Sequence, residues 1–372
     1  AVWALHACGT LADSDIVMLL GQEGHKSEYL RAWAIHLDME DGQPQDLARL
    51  EAMAATDSSP LVRLYLASAL QRLPLDSRWE IARGLVGHGD DATDHNLPLM
   101  IWYGIEPLVT VDTPQALSLG AASRIPIVRQ YIYRRAAADS AAIGHLLTSL
   151  GAISDDVTRK IILGEISAAV STRGRLEMPA QWPAVYQQLA KSPDESVRQQ
   201  AQMITVKFGD SSIFPVLRQI VADASAKTSS RHTALEALLA GGDQQLAELL
   251  VSLLEDDQLR AAAIRGLAAY SDDSIPAALL GRYDSFNSEQ KADAVATLAA
   301  RAAFAHPLLD AVESGAIART DISAYTARQL SLLEDKALAE KVNRVWGTMR
   351  TTPAEKQQRI EQLKKRLGAR AL

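Results

Sequence analysis

The chain has 372 residues, 48% of them hydrophobic and only 5% aromatic, and its formal net charge is −7. A net negative charge disfavours nucleic acid as a partner, because nucleic-acid binding depends on the neutralisation of phosphates. The single cysteine, Cys8, excludes an internal disulfide framework and a cysteine-rich metal or iron–sulfur site. No apolar run approaches the ~18–20 residues that a membrane-spanning helix needs. The abundance of alanine and leucine favours packed helices over an all-β fold.

Apolar residues recur three or four positions apart along most of the chain, which is the spacing of one helical face. The clearest case lies between Asp57 and Pro74, where Ser59 is suited to cap a helix, Pro60 fits its first position and Pro74 ends it. In chain order, helices are predicted at residues 2–11, 15–20, 28–37, 44–55, 60–73, 77–86, 97–104, 113–120, 127–138, 141–150, 155–170, 197–206, 213–222, 230–239, 244–254, 258–269, 275–280, 288–303, 307–313, 322–333 and 336–349.

An apolar residue followed by arginine recurs near the predicted helix starts. Arg31 and Arg63 lie 32 residues apart, and Arg198 and Arg231 lie 33 apart. A repeat of ~30–45 residues built from helix pairs is typical of an α-solenoid, so residues 1–350 are predicted to form one all-α solenoid. Two repeats lack an obvious arginine, near Asn96 and near Arg159. The proposed repeat arginines are Arg31, Arg63, Arg129, Arg198, Arg231 and Arg260, of which Arg231 fits the pattern more loosely, as does Lys291.

An acidic residue precedes several of these arginines. Asp57 lies ahead of Arg63, and Asp256 lies ahead of Arg260. We therefore predict a ladder in which each arginine binds acidic or carbonyl groups in the turn of an adjacent repeat. The predicted role of this ladder is to fix the register of the repeats, not to catalyse a reaction. Ser192, Pro193 and Glu195 suggest a capped start for the helix that carries Arg198.

Two stretches interrupt the repeat, at residues 87–96 and 171–183. The first contains Asp90, Asp94 and His95, and carboxylate and imidazole groups are common ligands of divalent cations. Their spacing matches no known metal motif. The main interpretation is a polar loop whose aspartates cap the next helix, with a metal site or a partner contact as alternatives. The second stretch is interpreted as a loop insertion, on a face that repeat proteins often use for binding.

The last segment, residues 351–372, has six basic and two acidic residues, a net charge of +4. Ile360, Leu363 and Leu367 form a narrow apolar stripe, so the segment is predicted to be a basic amphipathic helix. It is either a terminal helix that packs on the solenoid or a connector that leads to a further domain and binds a partner.

No catalytic motif is recognisable. The chain lacks G-x-S-x-G, a P-loop, a dinucleotide-binding fingerprint, H-E-x-x-H and the Cys-x-x-Cys-His that attaches haem c. We therefore predict no catalytic residue and no cofactor in this segment. The aromatic side chains of Trp3 and Trp33 are expected to cover the interior of the helical stack instead of binding a ligand.

One region resembles a known family. The sequences SSPLVRLYLASALQRLP and RWEIARGLVGHGDDATDHNLPLMIWYGIEPLV, from residues 58–109, are similar to the helical-repeat region of the large bacterial membrane-bound dehydrogenases of planctomycetes and verrucomicrobia. In that family a β-propeller precedes HEAT-like repeats, and a c-type cytochrome domain follows them. The resemblance is strongest over residues 27–135. Neither the propeller nor the haem motif is present in this sequence, so no catalytic residue can be transferred.

The resemblance implies a HEAT-like solenoid that is the spacer or docking segment of an extracytoplasmic dehydrogenase–cytochrome c protein. Its partners would be other domains of the same polypeptide, and haem c would lie in an adjoining domain. A second hypothesis is a free-standing protein-interaction scaffold. A third is a helical-repeat enzyme with a site near residues 88–95.

Overall fold

The computed structural model describes residues 2–20, 26–171, 177–346 and 363. Within these ranges every regular element is a helix and no strand is present. The fold is an all-α solenoid of helical hairpins, as predicted. The chain divides into two compact units, Ala1–Ile213 and Phe214–Leu372, which are described separately.

The first unit begins with short helices and continues as regular hairpins. Single 3₁₀ turns lie at Leu75–Ser77, Gly89–Thr93 and Ser211–Ile213. Its α-helices are α1 (Val2–Ala7), α2 (Asp13–Leu20), α3 (Glu28–Asp38), α4 (Leu47–Thr56), α5 (Pro60–Leu70), α6 (Trp79–Val86), α7 (Leu97–Ile105), α8 (Leu108–Val111), α9 (Thr113–Ala122), α10 (Pro126–Ala137), α11 (Ile143–Ala152), α12 (Asp156–Ser171), α13 (Trp182–Leu189) and α14 (Glu195–Lys207).

These helices form two layers. The first layer contains α3, α5, α7, α10, α12 and α14, and the second contains α4, α6, α9, α11 and α13; each helix packs against the next one of its own layer. The apolar faces of both layers meet in a continuous core that includes Leu66, Ile81, Ile101 and Trp182, all fully buried. This is the packing that a helical repeat needs, because a single hairpin cannot bury its apolar face alone.

Local sequence signals explain the helix starts. The Ser59 hydroxyl accepts a hydrogen bond from the Val62 N–H at 3.4 Å, and Pro60 is the first residue of α5. At α14 the cap differs from the prediction. Asp194, not Ser192, accepts from the Ser196 N–H, at 2.8 Å.

The second unit continues the helical hairpins. Its α-helices are α15 (Phe214–Ala222), α16 (Thr228–Gly241), α17 (Leu246–Ser252), α18 (Arg260–Leu267), α19 (Ser274–Leu280), α20 (Ser288–Leu298), α21 (Ala302–Glu313), α22 (Ala324–Leu332) and α23 (Lys336–Trp346), and 3₁₀ turns lie at Leu253–Glu255, Tyr283–Ser285 and Arg319–Asp321.

The prediction of one helix over residues 288–303, followed by another from 307, was wrong. The chain leaves the helix after Leu298, and α21 begins at Ala302 and contains Pro307 in its interior. The break lies where the Arg301 guanidinium donates a hydrogen bond to the Ala268 carbonyl at 2.5 Å and stacks over the Phe304 ring, 5.0 Å from its centroid. A contact with a distant part of the chain has therefore overridden the local helical pattern.

Two predicted features lie largely outside the described residues. The proposed amphipathic helix at 351–372 is described only at Leu363, whose side chain is exposed. Of the proposed insertion at 171–183, Ser171 is the last residue of α12, and the chain is described again from residue 177, where it leads into α13.

Candidate protein-docking surface

The repeat arginines share one place in their helices. All of them except Arg260 are the fourth residue of their helix, and Arg159 takes this position in a repeat that seemed to lack an arginine. In α7 the fourth residue is Met100, and α18 is an exception because it begins at Arg260. The residues at this fourth position are Arg31, Arg63, Met100, Arg129, Arg159, Arg198, Arg231 and Lys291.

Two of these arginines form buried ion pairs with the turn of the following repeat. The Nε and Nη2 atoms of Arg31 donate to the Asp57 carboxylate at 2.9 and 3.0 Å. The same two atoms of Arg63 donate to Asp91 at 2.6 and 2.5 Å. All four side chains are at least nine-tenths buried. A bidentate pair holds its two side chains in one relative orientation and also balances their charges. These pairs therefore set the spacing of α3, α5 and the turn before α7.

A second set of hydrogen bonds stays within one repeat, which differs from the prediction. Arg198 donates to the Ser192 carbonyl at 2.6 Å, and Arg260 donates to the Leu254 carbonyl at 2.6 Å. Arg129 donates in the same way to the Ser123 carbonyl. Each acceptor lies six residues before its arginine. Since every residue has a backbone carbonyl, the type of the acceptor residue gave no signal in the sequence.

In the second unit Arg231 joins two repeats. Its Nε donates to the Val221 carbonyl at 2.9 Å, and its Nη2 donates to the Asp256 carboxylate at 2.6 Å. Burial alone would raise the pKa of Asp256. Hydrogen bonds from Arg231 and from the backbone N–H groups of Gln258 and Leu259 outweigh burial and lower the pKa below its ordinary value.

Sequence reasoning missed Arg78, whose partners are carbonyl groups only. Its guanidinium is buried and donates to the carbonyls of Leu73 at 2.9 Å, Gln71 at 3.2 Å and Gly104 at 3.0 Å. It thus binds the chain that follows α5 and the C-terminal turn of α7. Burial lowers the pKa of Arg78.

The loop at 87–96 brings none of the weak metal candidates together as a cluster. The Asp94 carboxylate accepts hydrogen bonds from the backbone N–H groups of Leu97 and Asn96, both at 2.8 Å, and these bonds lower its pKa. Asp90 and His95 are exposed. Among the described residues, no group of three or more His, Cys, Asp or Glu side chains is arranged to hold a metal ion.

A groove lies on the first layer, across α3, α5 and α7. Its volume is about 470 Å³, within the usual ~300–1,000 Å³ range of ligand pockets. Its lining is mostly apolar, and Tyr103 at its rim is 54% exposed. The lining residues are Ile35, His36, Met39, Leu64, Tyr65, Ser68, Ala69, Arg72, Asn96, Leu99, Met100 and Tyr103.

Comparisons with known proteins concern the type of helical repeat. The HEAT-repeat family model matches residues 182–268. This chain contains HEAT-like repeats. The solved structure of YibA from Escherichia coli is similar at 16% sequence identity, with a TM-score of 0.36, over 71% of this chain and 95% of YibA. The search of curated proteins finds no match.

An aromatic cluster adjoins the groove on the first layer. Trp33 packs edge-on against Trp3, with ring centroids 4.8 Å apart, and against Tyr65 at 5.9 Å; His36 packs against Trp33 at 5.4 Å. The expectation that Trp3 covers the interior was wrong, because Trp3 is 48% exposed. The first unit therefore presents aromatic surface next to the groove.

No helix of the described residues combines the length and the apolar character that a membrane crossing requires. The HEAT-like fold itself is typically a binding fold without catalytic function, which fits a non-catalytic segment.

Asp38, at the end of α3, allows a test of buried charge. Its Oδ1 accepts from the Gln45 N–H at 3.1 Å, whereas its buried Oδ2 has no hydrogen-bond partner among the described residues. Burial raises the pKa of Asp38, and the nearby carboxylates of Asp41, Asp13 and Asp46 raise it further. A carboxyl whose pKa is raised by folding stabilises the protein below its unfolded-state pKa, and that contribution is lost as pH rises through the folded-state pKa.

We therefore expect Asp38→Asn to raise the free energy of unfolding at pH 7 by about 1 kcal/mol, since an unpaired buried charge is removed. The gain should shrink as the pH falls through the raised folded-state pKa of Asp38 and should be absent below its unfolded-state pKa, measured by urea unfolding across pH. Asp155→Asn is the control, for which the expected change in the free energy of unfolding has the opposite sign. Thr158 lowers the pKa of Asp155, so this variant should lose stability at pH 7. An Asp38→Asn variant that is less stable than wild type at pH 7 would contradict the assignment.

Proposed function

We propose that this HEAT-like segment is a non-catalytic docking scaffold that binds another protein segment in the groove formed by α3, α5 and α7. The observation that carries the proposal is the exposed apolar groove itself. Monomeric proteins seldom expose large apolar patches without a binding role. Tyrosine, tryptophan, methionine and arginine are enriched in protein interfaces, and this groove and its border contain all four.

The buried ion pairs support a scaffold that holds its shape. Arg31–Asp57 and Arg63–Asp91 connect the three helices that line the groove through their intervening turns. A surface fixed in this way needs little reordering when a partner binds, which reduces the entropic cost of association.

The more specific proposal is that the scaffold is the spacer of a dehydrogenase–cytochrome c polypeptide outside the cytoplasm. Its support is the resemblance of residues 58–109 to the repeat region of that family. The partners would be the propeller and cytochrome domains, and haem c would belong to the latter. Sequencing the gene tests this: a Cys-x-x-Cys-His codon run downstream of residue 372 is expected, whereas a stop codon there would favour the free-standing scaffold.

Site-specific photo-crosslinking tests the docking role. A benzoylphenylalanine replaces Ser68, an exposed residue of α5 that lines the groove, in the full polypeptide made by its native host. We expect a discrete crosslinked product whose second peptide belongs to another domain or to one partner protein, identified by mass spectrometry.

The matched control is Thr148, an exposed residue of α11 in the second layer. It should yield no crosslink to the same peptide. The docking role would be refuted by an absence of crosslinks at Ser68, or by the same products at both positions.

A further inference from the structure

We infer that the groove selects an extended acidic peptide segment, one that inserts apolar side chains beside a carboxylate. This inference rests on the proposed docking function and specifies its partner. It follows from three properties of the groove, namely its charge, its unused polar groups and its length.

The charge of the groove opposes the charge of the chain. Among the described residues that line it, Arg72 is the only formally charged one and none is aspartate or glutamate, although the whole chain has a net charge of −7. A cation beside an apolar surface, with no acidic residue in the lining, favours an anionic group on the ligand.

Arg72 is held at the edge of the groove. Its Nη1 donates to the Met39 carbonyl at 3.1 Å, and this is its one side-chain hydrogen bond to the described residues. A guanidinium has five N–H donors in a planar fork, so the others can bind a carboxylate in a bidentate manner. The bond to Met39 orients the fork before a ligand arrives.

Several polar side chains of the lining are also without hydrogen-bond partners among the residues that the structure describes. They are the Ser68 hydroxyl, the Asn96 amide and the hydroxyls of Tyr65 and Tyr103. An extended peptide carries N–H and C=O groups that such side chains can bind. Met100 contributes an adaptable apolar wall at the helix position where neighbouring repeats have arginine.

The length of the groove fits a short peptide. It crosses three adjacent helices, and packed helices lie about 8–10 Å apart, so the outer two axes are roughly 16–20 Å apart. An extended chain rises about 3.3 Å per residue, and therefore five or six residues span the groove. Leu64 of α5 and Leu99 of α7 are partly exposed and supply apolar contacts, whereas Ile35 of α3 is buried beneath the groove.

Binding of three fluorescein-labelled decapeptides tests the inference by fluorescence anisotropy at low salt. Their central sequences are Leu-Leu-Asp-Asp, Leu-Leu-Lys-Lys and Ser-Ser-Asp-Asp. We expect the first to bind at least tenfold more tightly than either of the others, because the second lacks the carboxylates and the third lacks the apolar side chains. Equal binding of the first two would overturn the acidic preference.

Arg72→Gln should reduce the preference for aspartate over lysine to less than about threefold, since glutamine keeps a donor for Met39 but has no charge. Arg83→Gln is the control: Arg83 is an exposed arginine of α6 in the second layer, and its loss changes the net charge equally. It should leave the preference unchanged. Ser68→Glu should weaken binding of the acidic peptide by like-charge repulsion. Because Ser68 is exposed, the substitution should not affect folding, which circular dichroism checks.

An unchanged preference in Arg72→Gln, or an equal loss in Arg83→Gln, would refute the inference. So would a concentration-dependent dimer in sedimentation that Ser68→Glu disrupts, because a second copy of the chain would then occupy the groove. If Ser68 crosslinks to a partner but the peptides show no acidic preference, the docking function stands and the charge selectivity fails. If crosslinks and peptide binding are both absent, both proposals fail.

Discussion

Replacing Asp57 with alanine is expected to lower the free energy of unfolding of the first unit by about 3–5 kcal/mol, the usual cost of breaking a buried ion pair. Asp57 is fully buried and accepts two hydrogen bonds from Arg31 and one from the Ser59 N–H at 2.9 Å. Its removal takes both of these hydrogen bonds away from the Arg31 guanidinium, which stays buried. Urea unfolding followed by circular dichroism measures the loss.

The control is Glu80→Ala, because Glu80 pairs with Arg83 at 3.4 Å on the surface and such pairs contribute less than about 1 kcal/mol. A double variant, Asp57→Ala with Arg31→Met, should be less destabilised than the sum of its single variants, because both single variants lose the same Arg31–Asp57 contact. A loss for Asp57→Ala as small as that for Glu80→Ala would show that the ladder does not stabilise the repeats.

The second large effect concerns the contact between α4 and α6. A Cβ atom added at Gly84 would lie 2.7 Å from the Ala54 carbonyl carbon and 2.7 Å from the Ala55 nitrogen. These are backbone atoms of α4, so the two helices would have to separate. We expect Gly84→Ala to destabilise the first unit by about 1–3 kcal/mol, in spite of the higher helix propensity of alanine.

Gly164→Ala is the matched control in α12, where an added Cβ meets no atom within 4 Å. There alanine should stabilise the helix by about 0.5–1 kcal/mol, because it restricts the unfolded chain and improves helix propensity. The same substitution is thus expected to lower the free energy of unfolding at position 84 and to raise it at position 164, measured by urea unfolding. A stabilising Gly84→Ala would mean that α4 and α6 are further apart than in the structure.

The interruption of the arginine ladder at α7 has a consequence for binding. The neighbouring first-layer helices, α5 and α10, carry arginines that bind turns, whereas Met100 of α7 lines the groove. The repeat that lacks the structural arginine is therefore one that contributes apolar surface for a ligand. Departures from a repeat pattern are useful places to look for function in solenoids.

The sequence by itself determined the fold class and the approximate positions of most helices. Three local signals indicated this: the helical periodicity, Ser59 and Pro60 at the start of α5, and the spacing of the arginines. They could be recognised because the corresponding contacts lie within one hairpin or between neighbouring hairpins. The irregular stretch at 87–96 was also visible, because its polar residues break the apolar pattern.

Only the tertiary structure decided which groups meet. Asp57 precedes Arg63 in the sequence, yet its carboxylate binds Arg31 of the preceding repeat, and its carbonyl binds Arg63. The helix break near Arg301 and the bonds of Arg78 depend on backbone carbonyls of distant residues, which carry no sequence signature. The groove is likewise the product of three helices packing side by side, since the space between side chains is fixed by their packing and not by the order of residues along the chain.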